Sequence, residues 1–244
     1  MGGASRNEKR RRQDEADRRL AAAGINVPQK RSRTPMIVVA AIAVAVIVGL
    51  TVWIARGSGE VEPTYTATAS GAVVTAGNGP VAVDIYGDYL CPNCERFEER
   101  YGDEITTALN EGRVTVRYHA VSILDTLTEP PGYSTRSANA AICAAEAGIF
   151  PRYHRALFDA QPAEGSAGLS DDELIALGTP LGPQGDFEAC VRDGRHADAV
   201  AAETTKAAGD PALQTQGRFG TPTVAIDGQK VDLNNTGWLQ DAIG

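Results

Sequence analysis

The sequence has very little with which to hold a conventional cofactor. It contains four cysteines and three histidines in 244 residues, and only Cys91 and Cys94 stand close together. Such a pair is half of a zinc site, but a closed site needs two more ligands. The candidates are His119, His154, His196, Cys143 and Cys190, and they include no second close pair. Nucleotide, flavin and metal motifs are missing, so no cofactor is expected beyond whatever the cysteines provide. Internal repeats are missing too. One further absence has a different meaning: the 20 residues Met36–Ala55, MIVVAAIAVAVIVGLTVWIA, contain no charged side chain.

As a helix, those residues would span about 30 Å, the hydrocarbon thickness of a bilayer. The 35 residues before them carry ten Lys or Arg against four acids, a charge of +6, whereas the whole chain is −8. Residues 36–244 therefore carry −14. Basic residues beside a span hold that end in the cytoplasm. The expectation is a single-pass cell-membrane protein with a cytoplasmic tail (1–35), a transmembrane helix (36–55) and an acidic part outside. A cleaved signal peptide has a shorter apolar stretch and a small-x-small site directly after it. Trp53-Ile54-Ala55 fits that poorly, so an uncleaved signal-anchor is the reading. The basic run KRRR beside the span is read as a topology signal that also sits against anionic lipid. No DNA-binding module follows it, and no nucleic-acid partner is expected.

Residues 56–71 are rich in Gly, Ser, Thr and Pro and read as a flexible linker. Residues 72–244 are long enough for one domain with a real core. VAVDIY (81–86) reads as a strand buried on both faces. From Cys91 to about Asn110 the pattern turns helical, with Phe97, Tyr101, Ile105 and Leu109 four apart on one stripe. Val114–Val121 alternates as a second strand, which completes a βαβ unit. Ser134–Gln216 is helical in pattern throughout. Thr223–Ile226 is a strand with a turn at Asp227-Gly228 and a returning partner at Gln229–Leu233. Trp238–Ile243 closes the chain as a short helix.

The cysteines of DYLCPNCERF thus fall at the start of a helix that follows a strand. A sulfur at that point faces unpaired N–H groups and the positive end of the helix dipole, which favour thiolate over thiol. Pro92 suits the first turn, where its missing N–H costs nothing. Cys94 lies nearly one turn later and is expected to be less exposed. Cys91 would attack or be attacked, and Cys94 would resolve the mixed disulfide. A purely structural Cys91–Cys94 bridge gains little from closing so short a loop. Outside the cytoplasm, an even number of cysteines reads as disulfide chemistry. Downstream, Pro222 of GTPT cannot donate within a sheet and belongs at a strand's beginning. A cis Thr221–Pro222 bond would turn the preceding backbone outward, where it could pair with an extended peptide.

YGDYLCPNCERFEE, then a helical block, then GRFGTPTVAIDGQ resembles the DsbA-like branch of the thioredoxin superfamily, in its membrane-tethered bacterial form. The resemblance covers about residues 70–244. It implies an α/β thioredoxin fold with a large helical insertion, here Ser134–Gln216, and a cis-proline, here Pro222, facing the dithiol. It also implies an activity, the donation of disulfides to unfolded exported proteins with free thiols. Reoxidation would come from a membrane partner of the DsbB or vitamin K epoxide reductase type. Asn93 departs from the histidine of the strongest oxidants and implies a less oxidising couple. Thioredoxin-like proteins often carry a buried acid six residues ahead of the first cysteine. Ile85 stands there instead, and Asp84 beside it points to the opposite face, so a relay from Asp84 to Cys94 is a secondary reading. Asp88 and Glu95 read as solvated charges.

Compartment and even number favour a second, structural disulfide between Cys143 and Cys190; the other reading is two buried thiols acting as small apolar residues. His154 reads as structural, His119 follows the strand pattern, and His196 is expected to be exposed. Tyr89 reads as lining an apolar substrate groove together with Pro92, Asn93 and Thr221; Tyr86 could join it or pack in the core. Three alternatives remain at this point. A tethered reductase or isomerase would run the same dithiol in the opposite direction, although the chain lacks the CGPC of reducing thioredoxins and a dimerisation domain. A binding module would hold clients without turnover, and a metal-binding module would copurify with zinc or copper.

Overall fold

A computed structural model describes residues 61–244, together with Glu8, Arg11, Glu15 and Arg19 near the N-terminus. Residues 36–55, where a membrane span is expected, and nearly all of the basic tail lie outside the described residues. Among the described residues, no helix is long and apolar enough to cross a membrane.

A six-stranded mixed sheet forms the centre. Its strands are β1 (Ala67–Ser70), β2 (Val73–Gly77), β3 (Val81–Gly87), β4 (Val114–Ala120), β5 (Thr223–Ile226) and β6 (Gln229–Lys230), in the spatial order β1-β2-β4-β3-β5-β6. Helix α1 (Pro92–Asn110) carries the chain from β3 to its parallel neighbour β4. Parallel strands need such a crossover, and the mostly apolar VAVDIY fits a strand paired on both sides. β5 pairs antiparallel to β3 on its other side. Asp227 and Gly228 both adopt positive φ (51° and 76°) at the β5–β6 turn, the geometry that a two-residue hairpin requires.

The four-spaced stripe of α1 is buried as its period predicts. The ring of Trp238, from the closing helix α7 (Trp238–Ile243), stands 5.8 Å from that of Tyr101. Between β4 and β5 run five helices: α2 (Tyr133–Glu146), α3 (Phe150–Asp159), α4 (Asp171–Gly178), α5 (Phe187–Arg192) and α6 (Ala197–Gly209). α2 is buried along nearly its whole length. Its alanines and serines let neighbours approach from all sides, as a helix without a polar face must allow. Ser170 and Glu173 cap the start of α4 reciprocally.

The linker expectation is corrected by β1. TYTATAS alternates, and Ala67–Ser70 pairs antiparallel with Val73–Ala76 around Gly71, whose φ is +60°. Upstream, Thr64 N–H donates to Asn110 Oδ1 (2.7 Å) and Val61 N–H to Asp103 Oδ1 (3.0 Å). Ser and Thr content suggests flexibility, but β-branched Thr at every second position also makes an edge strand. The folded unit therefore begins before residue 72.

Candidate active site

The turn Gly87–Leu90 leads from β3 into α1. Cys91 takes the N-cap position in extended conformation (φ −77°, ψ 116°), with Pro92 in the first turn. The Cys91 carbonyl already accepts the first helical bonds, from Cys94 N–H (2.9 Å) and Glu95 N–H (3.2 Å). Cys91 and Cys94 are both free thiols and both buried, at 5% and 2% exposure. The Thr221–Pro222 peptide is cis and lies beside them, with Cys91 Sγ 3.4 Å from the Thr221 carbonyl oxygen.

The two thiols are driven apart in acidity. A hydrogen bond from the Cys94 thiol is the largest influence bringing Cys91 down to about 6, with further help from the Thr221 hydroxyl and the N–H groups of Cys94 and Asn93. Burial opposes this without prevailing. For Cys94, burial dominates and raises the pKa well above the usual thiol value. Beneath Cys94 lies a cavity of about 20 Å³, bordered by Ile85, Glu98, His154 and Pro222 among others, which is room for one water molecule.

Not every candidate residue belongs to this surface. Pro92, Thr221 and Pro222 are half-buried and Asn93 is exposed, its side-chain oxygen taken by Arg96. Tyr89 borders the small cavity beside Cys94 and Pro222, and not an exposed groove. It is 5% exposed, and its hydroxyl meets His154 Nδ1 at 2.8 Å. An aromatic beside the motif suggested a groove, but the β3–α1 turn directs this ring into the core against Phe158. Tyr86 is also buried, stacked on His119 at 4.1 Å.

Asp84 has other partners than Cys94. Both its oxygens accept from Arg117 (2.5 Å each), and Oδ1 meets His119 Nε2 at 2.9 Å. His119 Nδ1 meets Glu203 Oε1 of α6 at 2.7 Å. The buried imidazole thus joins the sheet to the helical block. Burial lowers its pKa, but the two carboxylates more than reverse this, and the net shift is upward.

Asp88 is the clearest departure from expectation. Far from solvated, it is 0% exposed. Its Oδ1 accepts Leu90 N–H and its Oδ2 accepts Leu124 N–H, both at 2.9 Å. An Asp that bonds two residues on is a common turn device, and its place between a strand end and an N-cap was the available signal.

Cys143 and Cys190 are joined in a disulfide between α2 and α5. His196 is half-buried rather than exposed, because the start of α6 packs it near that bridge with Nε2 3.2 Å from Glu146 Oε1. Among the described residues, Cys143, Cys190 and His196 form the only grouping with metal-like spacing, and its two sulfurs are bonded to each other.

Comparison with known proteins agrees with this geometry. A family model described as thioredoxin matches residues 69–243. DsbA of Mycobacterium tuberculosis, in its oxidised crystal form, is 28% identical; the match covers 74% of this chain and 93% of that one, with a TM-score of 0.59. The thiol-disulfide oxidoreductase MdbA of Corynebacterium diphtheriae superposes with a TM-score of 0.62 at 21% identity, over 76% of this chain and 96% of that one. The serine/threonine-protein kinase PknE of Mycobacterium tuberculosis is 31% identical over 180 residues, which is 71% of this chain but 31% of the kinase.

Proposed function

This chain belongs to the thioredoxin family, in its DsbA-like branch of thiol–disulfide oxidoreductases, and we propose that it acts as a disulfide donor on the outer side of a membrane. The observation that carries this reading is the placement of Cys91 at the N-cap of α1, with its sulfur 3.4 Å from the carbonyl of the cis Thr221–Pro222 segment. There Cys91 is brought down to about 6 and Cys94 is pushed up by burial. A low thiol pKa makes Cys91 the better leaving group and favours the reduced enzyme, so the disulfide is readily given away.

The exchange proceeds in two displacements. A substrate thiolate attacks Cys91 Sγ of the oxidised pair; the Cys91–Cys94 bond breaks, and the departing Cys94 sulfur takes a proton. The substrate's second thiolate then attacks its own sulfur in the mixed disulfide and releases Cys91 as a thiolate. Substrate leaves oxidised by two electrons, and the enzyme leaves reduced by two. The cis Thr221–Pro222 segment beside Cys91 is where an extended substrate would lie, with Pro92 and Asn93 at the rim.

In this reading, residues 36–55 anchor the chain with the N-terminus inside. The clients are exported proteins with free thiols, and a membrane partner of the DsbB or vitamin K epoxide reductase type restores the disulfide. The basic flank, the uncharged span and the cystine Cys143–Cys190 support that placement. The deciding measurement is the reduction potential of Cys91–Cys94, equilibrated with glutathione. A value of about −120 to −180 mV supports donation, whereas one near about −270 mV makes the protein a tethered reductase.

A further inference from the structure

Asp88 touches both halves of the dithiol site. Its carbonyl accepts Cys91 N–H at 3.0 Å, and its own N–H is directed at the Cys94 sulfur. The carboxylate binds the turn before Cys91 to the segment after β4, through Leu90 N–H and Leu124 N–H. From α2 the first-turn residues Tyr133 and Ser134 face it, and from the start of α1 the Cys91 sulfur faces it. No arginine, lysine or histidine pairs with it among the described residues. A carboxylate without a counter-ion at 0% exposure depends on a few N–H donors and the positive end of α2, and burial disfavours its charge.

Three residues away, the reaction creates a second negative charge on Cys91. Two like charges in one dry turn disfavour each other, and their protons are bound and released as a coupled pair. We propose that Asp88 is both the positioning residue of this turn and its proton store, taking up a proton when the disulfide is reduced and returning it on reoxidation. The inference rests on Cys91 and Cys94 being the exchange pair. With a dithiol as reductant, the Cys91–Cys94 bond breaks and the reductant's two sulfurs join. Its two electrons pass to the enzyme as the Cys91 thiolate and the Cys94 thiol. Of its two protons, one goes to Cys94 and the other to Asp88, and the count closes.

Burial pushes Asp88 up to about 6, the range to which Cys91 is brought down, so the two groups titrate together. Asp88→Asn removes one charge with little change of size, and the thiolate then forms more easily.

The test is an infrared difference spectrum, oxidised against dithiothreitol-reduced, on the purified full-length chain at a pH near 6, where both groups titrate. A protonated-carboxyl band should appear on reduction and be missing from Asp88→Asn; no band, or a band that survives the substitution, overturns the proposal. Cys91 alkylation against pH gives the second readout, with a midpoint expected to fall by about half a unit or more in Asp88→Asn. If that variant does not fold, the wild-type spectrum decides alone. A wild-type midpoint near that of a free thiol would overturn the exchange-pair reading, and Asp88's role with it. A low midpoint that Asp88→Asn leaves in place, in a folded protein, overturns Asp88's role only.

Discussion

The Cys91 sulfur lies 3.4 Å from the carbonyl oxygen of Thr221, a residue 130 positions later in the chain. As a thiol, Cys91 donates to that carbonyl. As a thiolate it needs donors instead, and the Thr221 hydroxyl, buried without a hydrogen-bond partner of its own, favours that state. Thr221→Val keeps the carbonyl and the shape but removes the hydroxyl. Cys91 should then titrate above about 6, and its alkylation rate at mildly acidic pH should fall roughly threefold or more. An unchanged midpoint would mean that the hydroxyl contributes nothing.

Replacing the two cysteines singly should give opposite outcomes. Cys91→Ser removes the group that forms the mixed disulfide, and exchange with a thiol peptide should stop altogether. Cys94→Ser leaves Cys91 without its resolving partner, and the mixed disulfide should accumulate as a stable adduct in mass spectrometry. Adducts on Cys94 in the Cys91→Ser protein would reverse the assignment. A client-binding module without exchange would keep its activity with both cysteines replaced.

The Cys143–Cys190 bridge is expected to support stability and not turnover. It closes a loop of 47 residues, which in the loop-entropy model corresponds to roughly 4 kcal/mol. For a domain of this size, Cys143→Ala with Cys190→Ala should lower the Tm by on the order of 10 °C. The reduction potential of Cys91–Cys94 should be the same with and without the bridge. A shifted potential would show that the helical block reaches the dithiol through this link.

His119 should give stability a dependence on pH. Its folded pKa is raised above 6.5, so the stability it contributes is complete below that value and is lost as pH rises through the folded pKa. The carboxylates act on the other side. Glu203 is held down by its bond to His119, and in Asp84 the bonds from His119 and Arg117 outweigh burial. Their contribution is present above the usual carboxylate range and fades as pH falls through their lowered values. Thermal melts should therefore show Tm declining on the alkaline side, and His119→Gln should flatten that decline while lowering Tm near neutrality. A variant with the wild-type slope would remove His119 as its source.

Much of the site was legible because it is local. A strand of VAVDIY, a CPNC at the first turn of an amphipathic helix and an Asp-Gly hairpin turn are fixed by periodicity, by proline's missing N–H and by the helix dipole. Each acts within a few residues of its cause. Burial and partnership are not local. The position of Asp88 in DYLC marks a turn-forming side chain, but its complete burial is decided by Leu124 and the start of α2, which arrive from over 30 residues away. His119 became a link only when β3 supplied Asp84 and α6 supplied Glu203. The Thr-rich segment before residue 71 became a strand only because β2 offered it an open edge. The sequence determined by itself where two thiols would stand on a helix. The tertiary structure decided their acidity, because desolvation and hydrogen-bond donors depend on what the rest of the chain brings beside them.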